Sequence, residues 1–256
     1  MVRHTNDVTR VIHLSDQGLS DYEISRRTGI PRSTVQRWRA GPASSPKGPP
    51  AGPTCPRCGG AEHVFSSLPT IDYAYLLGQY LGDGTIYRAG RRSYALRISS
   101  DARYPGIIDE CCRVIERVAG RRPAVRYHPQ KRLANIVLGW KAWPCYFPQH
   151  GPGRKHSRHI ELVGWQEEIV ERATGAFLRG LIHSDGWRGT NRVLVKGRIY
   201  EYPRYQFSNR SEDIKRLFTD YCDLLGVEWR PWGKHHISVA RRASVAVLDR
   251  YIGLKS

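Results

Sequence analysis

Tyr75-Leu76-Leu77-Gly78-Gln79-Tyr80-Leu81-Gly82-Asp83-Gly84 aligns without a gap against Phe177-Leu178-Arg179-Gly180-Leu181-Ile182-His183-Ser184-Asp185-Gly186, and this match of the chain with itself decides the fold. Both segments read as apolar helices that end in Asp-Gly. Small residues recur at a spacing of four, Gly78 and Gly82 in the first and Gly180 and Ser184 in the second, so two helix backbones can pack unusually closely. Equivalent positions carry equivalent bulk: Tyr75 with Phe177, Leu76 with Leu178, Tyr80 with Ile182. The two helices are therefore expected to pack on each other, with Gly84 and Gly186 stopping them as C-terminal glycines do.

Such a pairing sets Asp83 and Asp185 side by side at the negative ends of two helix dipoles, which is costly for two carboxylates left alone. A shared divalent cation removes the conflict. Hard oxygen ligands suit Mg²⁺ or Mn²⁺, and such an ion beside a phosphodiester polarises it and helps generate a hydroxide nucleophile. Paired acids in a basic chain point to metal-dependent phosphodiester hydrolysis.

The two segments resemble the two copies of the LAGLIDADG motif of homing endonucleases, and the resemblance runs from about Leu68 to the end of the chain. It implies an α+β fold of two pseudo-symmetric αββαββα halves, 68–148 and 165–256, joined by a basic linker at 149–164 and forming a saddle over DNA. The chain beyond each motif fits that order of elements. After Asp83 come strand-like runs that include Tyr94 to Ile98, a helix from about Ile107 to Ala119, and strands at Ala124–His128 and Ala134–Trp140. After Asp185 come Val193–Lys196, Tyr202–Phe207, a helix from about Asp213 to Leu225, strands at Val227–Trp232 and His236–Ala240, and a helix near Ser244–Tyr251.

In the resembled family alternate strand residues face the DNA grooves. Arg97, Lys196, Arg198, Arg204 and Gln206 are placed for such contacts, although each alone could be part of a solvated basic face. A basic residue on a later strand assists the chemistry in that family, and Lys131 or Arg132 in the first half and Lys234 in the second hold that location. The chain departs from the family pattern at Leu77, Gln79, Arg179, His183 and Ser184, but the small packing positions and both acids remain.

Composition points to the same partner. The 256 residues contain 41 Lys and Arg against 23 Asp and Glu, a formal net charge of +18, and such an excess attracts polyanions by releasing counterions from phosphates. Double-stranded DNA is the expected partner. A membrane surface would call for a basic amphipathic helix or a lipidation signal, whereas the basic residues here are spread along the whole chain. The polar opening Met1 to Asp7 and the lack of a membrane-spanning apolar stretch lead to an expected cytoplasmic location, nucleoid-associated in a bacterium.

Residues 1–40 have the rhythm of a helix-turn-helix DNA-binding domain. A helix runs through Val11, Ile12 and Leu14 and breaks at Gly18, and Ser20-Asp21-Tyr22-Glu23 forms a capping box for a second helix that ends near Gly29. Pro31 then opens a third helix with Val35 and Trp38 on its inner face and Arg32, Ser33, Thr34, Gln36 and Arg37 available to a major groove. An ordinary three-helix bundle would share this pattern, but the charge and turn spacing favour DNA. Residues 41–54, rich in Pro, Gly, Ala and Ser, read as a flexible linker.

Residues 55–67 hold the Cys-x-x-Cys knuckle Cys55-Pro56-Arg57-Cys58, which with His63 as a third ligand could bind zinc or could be a degenerate knuckle or a plain turn. The set is incomplete in sequence, because Cys111, Cys112, Cys145 and Cys222 are scattered rather than paired at a comparable spacing. The His-rich stretch 149–159 fits no metal motif and reads as a basic segment touching backbone phosphates.

Three functions share this scaffold. One is a monomeric, pseudo-twofold Mg²⁺-dependent endonuclease making double-strand breaks at a long site. A second is a non-cleaving DNA-binding transcriptional regulator, and a third an RNA maturase. The retained acids favour the nuclease, since a pure binder gains nothing from two carboxylates facing a phosphate.

Overall fold

A computed structural model describes residues 5–39, 53–90, 93–253 and 255, and the chain divides into two compact units, 1–54 and 55–256. Residues 41–52 of the expected linker lie outside the described residues.

The smaller unit is three helices, α1 (Thr5–Asp16), α2 (Asp21–Thr28) and α3 (Arg32–Arg39). The boundaries of α2 follow from single residues. Ser20 caps α2 and exchanges hydrogen bonds with Glu23 as a capping box, and Gly29 closes the helix at φ +67°, a left-handed position that suits glycine. Val11, Ile24, Ile30 and Val35 form its small core, with Leu14, Leu19 and Trp38 packed against it.

The larger unit is α+β, and its element order repeats. The first half runs α4 (Thr70–Asp83), β1 (Gly84–Gly90), β2 (Ser93–Asp101), α5 (Pro105–Ala119), β3 (Ala124–Tyr127), β4 (Leu133–Gly139) and α6 (Trp143–Tyr146). After the connecting helix α7 (Gly164–Arg172) the second half runs α8 (Thr174–Asp185), β5 (Gly186–Val195), β6 (Arg198–Ser208), α9 (Glu212–Leu224), β7 (Arg230–Trp232), β8 (His236–Val239) and α10 (Arg242–Ile252). Both halves are αββαββα. Each holds an antiparallel four-stranded sheet, ordered β1-β2-β4-β3 and β5-β6-β8-β7. One continuous core joins them, from Leu76, Leu96 and Ile136 to Leu178, Phe207 and Val239.

Helices α4 and α8 meet along their small residues. A Cβ on Gly180 would lie 2.3 Å from the Tyr75 carbonyl oxygen, and one on Gly78 would lie 2.5 Å from that of Phe177. No side chain fits there, so the glycines are required for contact between the two backbones. The residues that depart from the motif pattern are absorbed into this interface. Tyr75 Oη pairs with His183 Nδ1 at 3.0 Å and accepts from Gln79 Nε2 at 2.9 Å, while His183 Nε2 lies 3.0 Å from the Ile252 carbonyl beyond α8. Arg179 reaches Glu110 of α5 at 2.7 Å.

Some sequence expectations differ from the structure in instructive ways. Gly84 and Gly186 are not left-handed caps: their φ values are −85° and −110°, and each is the first residue of a strand. Glycine is needed because the helix passes into the strand with no loop, so a Cβ on Gly84 would stand 2.4 Å from Tyr80 Cα. The strand expected at Val193–Lys196 begins seven residues earlier at Gly186, where polar Thr190, Asn191 and Arg192 hide its start. Lys196 is not in a strand, since Lys196 and Gly197 have φ +47° and +77° and make the tight turn between β5 and β6. The strand expected over Val227–Trp232 is only Arg230–Trp232.

Candidate functional site

Asp83 and Asp185 are the last residues of α4 and α8, at the points where each helix passes into the first strand of its sheet. The close crossing of the helices brings them together: a Cβ on Gly82 would lie 3.1 Å from Asp185 Oδ2. Asp83 reaches solvent on its outer side, but dense protein about its carboxylate and the neighbouring charge of Asp185 push its pKa up to about 6. Asp185, half-buried, is raised by burial as well, against the pull of Asn209, whose Nδ2 donates to Asp185 Oδ2 at 2.7 Å. Among the described residues, none donates such a hydrogen bond to Asp83.

Two lysines face the acids, and sequence reasoning missed both. Lys155 Nζ donates to the carbonyls of Tyr80, Leu81 and Gly82, the last two at 2.8 and 2.7 Å, and so caps the C-terminus of α4. Lys255 Nζ donates to the carbonyl of Gly186, next to Asp185, at 2.6 Å. Burial holds Lys155 down to about 8 and lowers Lys255 as well, while both acids oppose those shifts. The signal lay in the repeat: Lys155 follows Asp83 by almost the same length of chain as Lys255 follows Asp185. Within the stretch expected to lie on phosphates as a basic linker, Lys155 turns its ammonium onto a helix end. Lys131 and Lys234 sit exposed in the turns β3–β4 and β7–β8, and the amino groups acting on the two acids are those of Lys155 and Lys255.

The sheets turn one face to the helices and leave the other open. Leu96, Ile98, Tyr205 and Phe207 point inward, so the pairing Thr85↔Arg97↔Val137 sets Arg97 on the open face of the first sheet. The pairings Trp187↔Gln206 and Gly189↔Arg204 do the same for Gln206 and Arg204, and Arg198 shares their alternation. Arg126, opposite Asn135, and Arg230, opposite Ser238, lie on these faces too and were not anticipated. Arg97 stands over the Tyr87 ring at 5.6 Å and Arg204 over Trp232 at 6.0 Å. Lys196 is exposed in the turn at the hairpin tip rather than on a strand.

In the smaller unit Arg32, Ser33, Gln36 and Arg37 are exposed along α3 and Thr34 is half-buried. Cys55, Cys58 and His63 converge and are joined by Cys145 of α6.

Solved structures of similar architecture exist. They include LAGLIDADG homing endonucleases and a LAGLIDADG domain of another protein. I-DmoI in complex with DNA and manganese is 16% identical over 72% of this chain and 98% of that one, with a TM-score of 0.47. The I-SmaMI LAGLIDADG homing endonuclease bound to cleaved DNA is 9% identical over 71% and 83%, with a TM-score of 0.48. The N-terminal LAGLIDADG domain of WhiA is 12% identical over 75% and 87%, with a TM-score of 0.46. A family model described as a homeodomain-like domain matches residues 9–48, and no curated protein matches the sequence.

Proposed function

We propose that the chain is a site-specific DNA endonuclease of the homing type that cuts both strands of a duplex and depends on a divalent cation. One observation carries the reading: Asp83 and Asp185 are held together at the paired ends of α4 and α8, with raised pKa values and two lysines beside them. Two carboxylates at the ends of two helix dipoles are a poor stabilising device and a good ligand pair for Mg²⁺ or Mn²⁺. When bound, such an ion supplies Lewis-acid polarisation of the phosphate and activation of water.

The chain's own residues do the rest. Asp83 and Asp185 would hold the ion, and Asn209 fixes the orientation of Asp185. Lys155 and Lys255 offset the negative charge of the acids, so that a phosphodiester can approach without repulsion. The open faces carrying Arg97, Arg126, Arg204 and Arg230 hold the duplex on either side, and the pseudo-symmetry of the halves within one chain suits a monomer acting on a poorly palindromic site. Helix α3 adds a second DNA contact through Arg32, Gln36 and Arg37. Among the described residues no helix is long and apolar enough to cross a membrane, and we expect the protein to act in the cytoplasm with the DNA.

The test is selection from a randomised duplex library in Mg²⁺, with a chelator control and with Asp83→Asn and Asp185→Asn beside the parent. The expected result is a defined break in both strands by the parent alone. Selective binding of a duplex without cleavage would replace this reading with a transcriptional regulator, and preference for structured RNA would replace it with a maturase.

A further inference from the structure

We propose that Cys55, Cys58, His63 and Cys145 hold one structural zinc ion that fastens the start of the larger unit to its first half. The ligand atoms of these four residues all lie within 4.8 Å of one another. Cys55 Sγ is 3.7 Å from Cys145 Sγ, and Cys58 Sγ is 3.4 Å from His63 Nε2. Around a tetrahedral zinc with usual bond lengths, two sulfurs stand about 3.8 Å apart and a sulfur and a nitrogen about 3.5 Å apart. The Cys55–Cys145 and Cys58–His63 separations match these values.

The local backbone suits thiolates. Gly59, at φ +62°, closes the knuckle: its N–H donates to the Cys55 carbonyl at 2.8 Å, while Cys55 N–H donates to the Gly60 carbonyl at 2.8 Å. In that turn the backbone N–H groups of Arg57 and Cys58 point at Cys55 Sγ, and that of Gly60 at Cys58 Sγ at 3.4 Å. Three thiolates around Zn²⁺ leave one negative charge, and Lys141, whose Nζ donates to the Gly59 carbonyl at 3.0 Å, stands beside it.

The fourth ligand is what sequence spacing concealed. Cys145 lies on the short helix α6, 90 positions after Cys55, and is buried. Four protein ligands leave no open position, so the site is structural rather than catalytic. It has work to do there, since among residues 55–69 the only helix is the single turn Phe65–Ser67, held by Phe65 stacked on Trp165 at 4.0 Å. Soft sulfur ligands also separate this site chemically from the oxygen ligands of Asp83 and Asp185, so it stands whether or not the chain cuts DNA.

The experiment measures metal in the full-length protein after gel filtration in chelator-treated buffer, by mass spectrometry of the elements, and repeats it after cobalt loading. The expected result is about one zinc per chain and, with cobalt, thiolate-to-metal charge transfer together with tetrahedral d–d absorption. Cys145→Ser should lose the metal, while Cys112→Ser and Asp83→Asn should keep it. Ligand variants are prone to misfold, so the cobalt spectrum of the parent decides independently of them. A parent without zinc or a tetrahedral thiolate spectrum would overturn the proposal, as would full metal content in Cys145→Ser or a Cys55–Cys145 disulfide in the isolated protein.

Discussion

Asp83 shows how a single side chain can be costly to the fold and useful to the chemistry. Its pKa is pushed up to about 6 by burial and then by Asp185, so the ionised form is the disfavoured one. An acid with a folded pKa above its unfolded value gains stability as pH falls, from the folded pKa down through about 4. In metal-free protein Asp83→Asn is therefore expected to raise the thermal midpoint above pH 6, and the gain should vanish near pH 4. Because the carboxylate reaches solvent, a modest shift is expected, roughly 2–4 °C, as about 1 kcal/mol gives in a unit of this size. Scanning calorimetry across that pH range checks it, and added Mg²⁺ should reverse the order of parent and variant. His183 behaves oppositely. Burial and then Arg179 hold its pKa down to about 4, so the folded state resists protonation and loses stability as pH falls from 6.5 to 4. At about 1.4 kcal/mol per pH unit the loss is roughly 3 kcal/mol, and His183→Gln should flatten that part of the acid unfolding curve.

At the scale of elements, the fold hangs on the approach of α4 to α8. Gly180→Ala would put a methyl group 2.3 Å from the Tyr75 carbonyl oxygen, against backbone that cannot swing aside. Overpacking of this kind costs about 1–3 kcal/mol, and the urea midpoint should fall accordingly. Gly164→Ala, which meets nothing within 4 Å at the start of α7, should not lower it. In the smaller unit the capping box is the exposed joint. Ser20→Ala removes the acceptor for the Glu23 N–H and should cost about 1 kcal/mol, read as faster amide exchange across Asp21–Thr28. These elements were legible because their chemistry is local: Ser20 with Glu23, Gly29 beyond Thr28, small residues at a spacing of four. The strand starts were less legible, because Gly84 and Gly186 look like helix stops and serve instead as the bend by which a helix becomes a strand. Lys196 read as strand because its neighbours Val193 to Val195 are β-formers, whereas Gly197 behind it makes the turn.

For the whole molecule, the repeat carried most of the information. Matching Tyr75–Gly84 to Phe177–Gly186 yielded the two halves, the helix pair and the acids, because a duplicated pattern constrains contacts far apart in sequence. What stayed hidden were residues reaching the site from outside the repeated motif. Lys155 lies in a stretch crowded with other basic residues, and only the structure shows that its ammonium caps α4. Cys145 has no partner cysteine nearby in sequence and meets Cys55 only through packing. The acid pair remains the centre of the account, and its test is manganese binding, monitored by electron paramagnetic resonance on the whole protein mixed with duplex DNA. The parent is predicted to take up the ion, and Asp83→Asn and Asp185→Asn each to leave it free in solution. Equal uptake by all three would contradict the claim that these two aspartates form a metal centre.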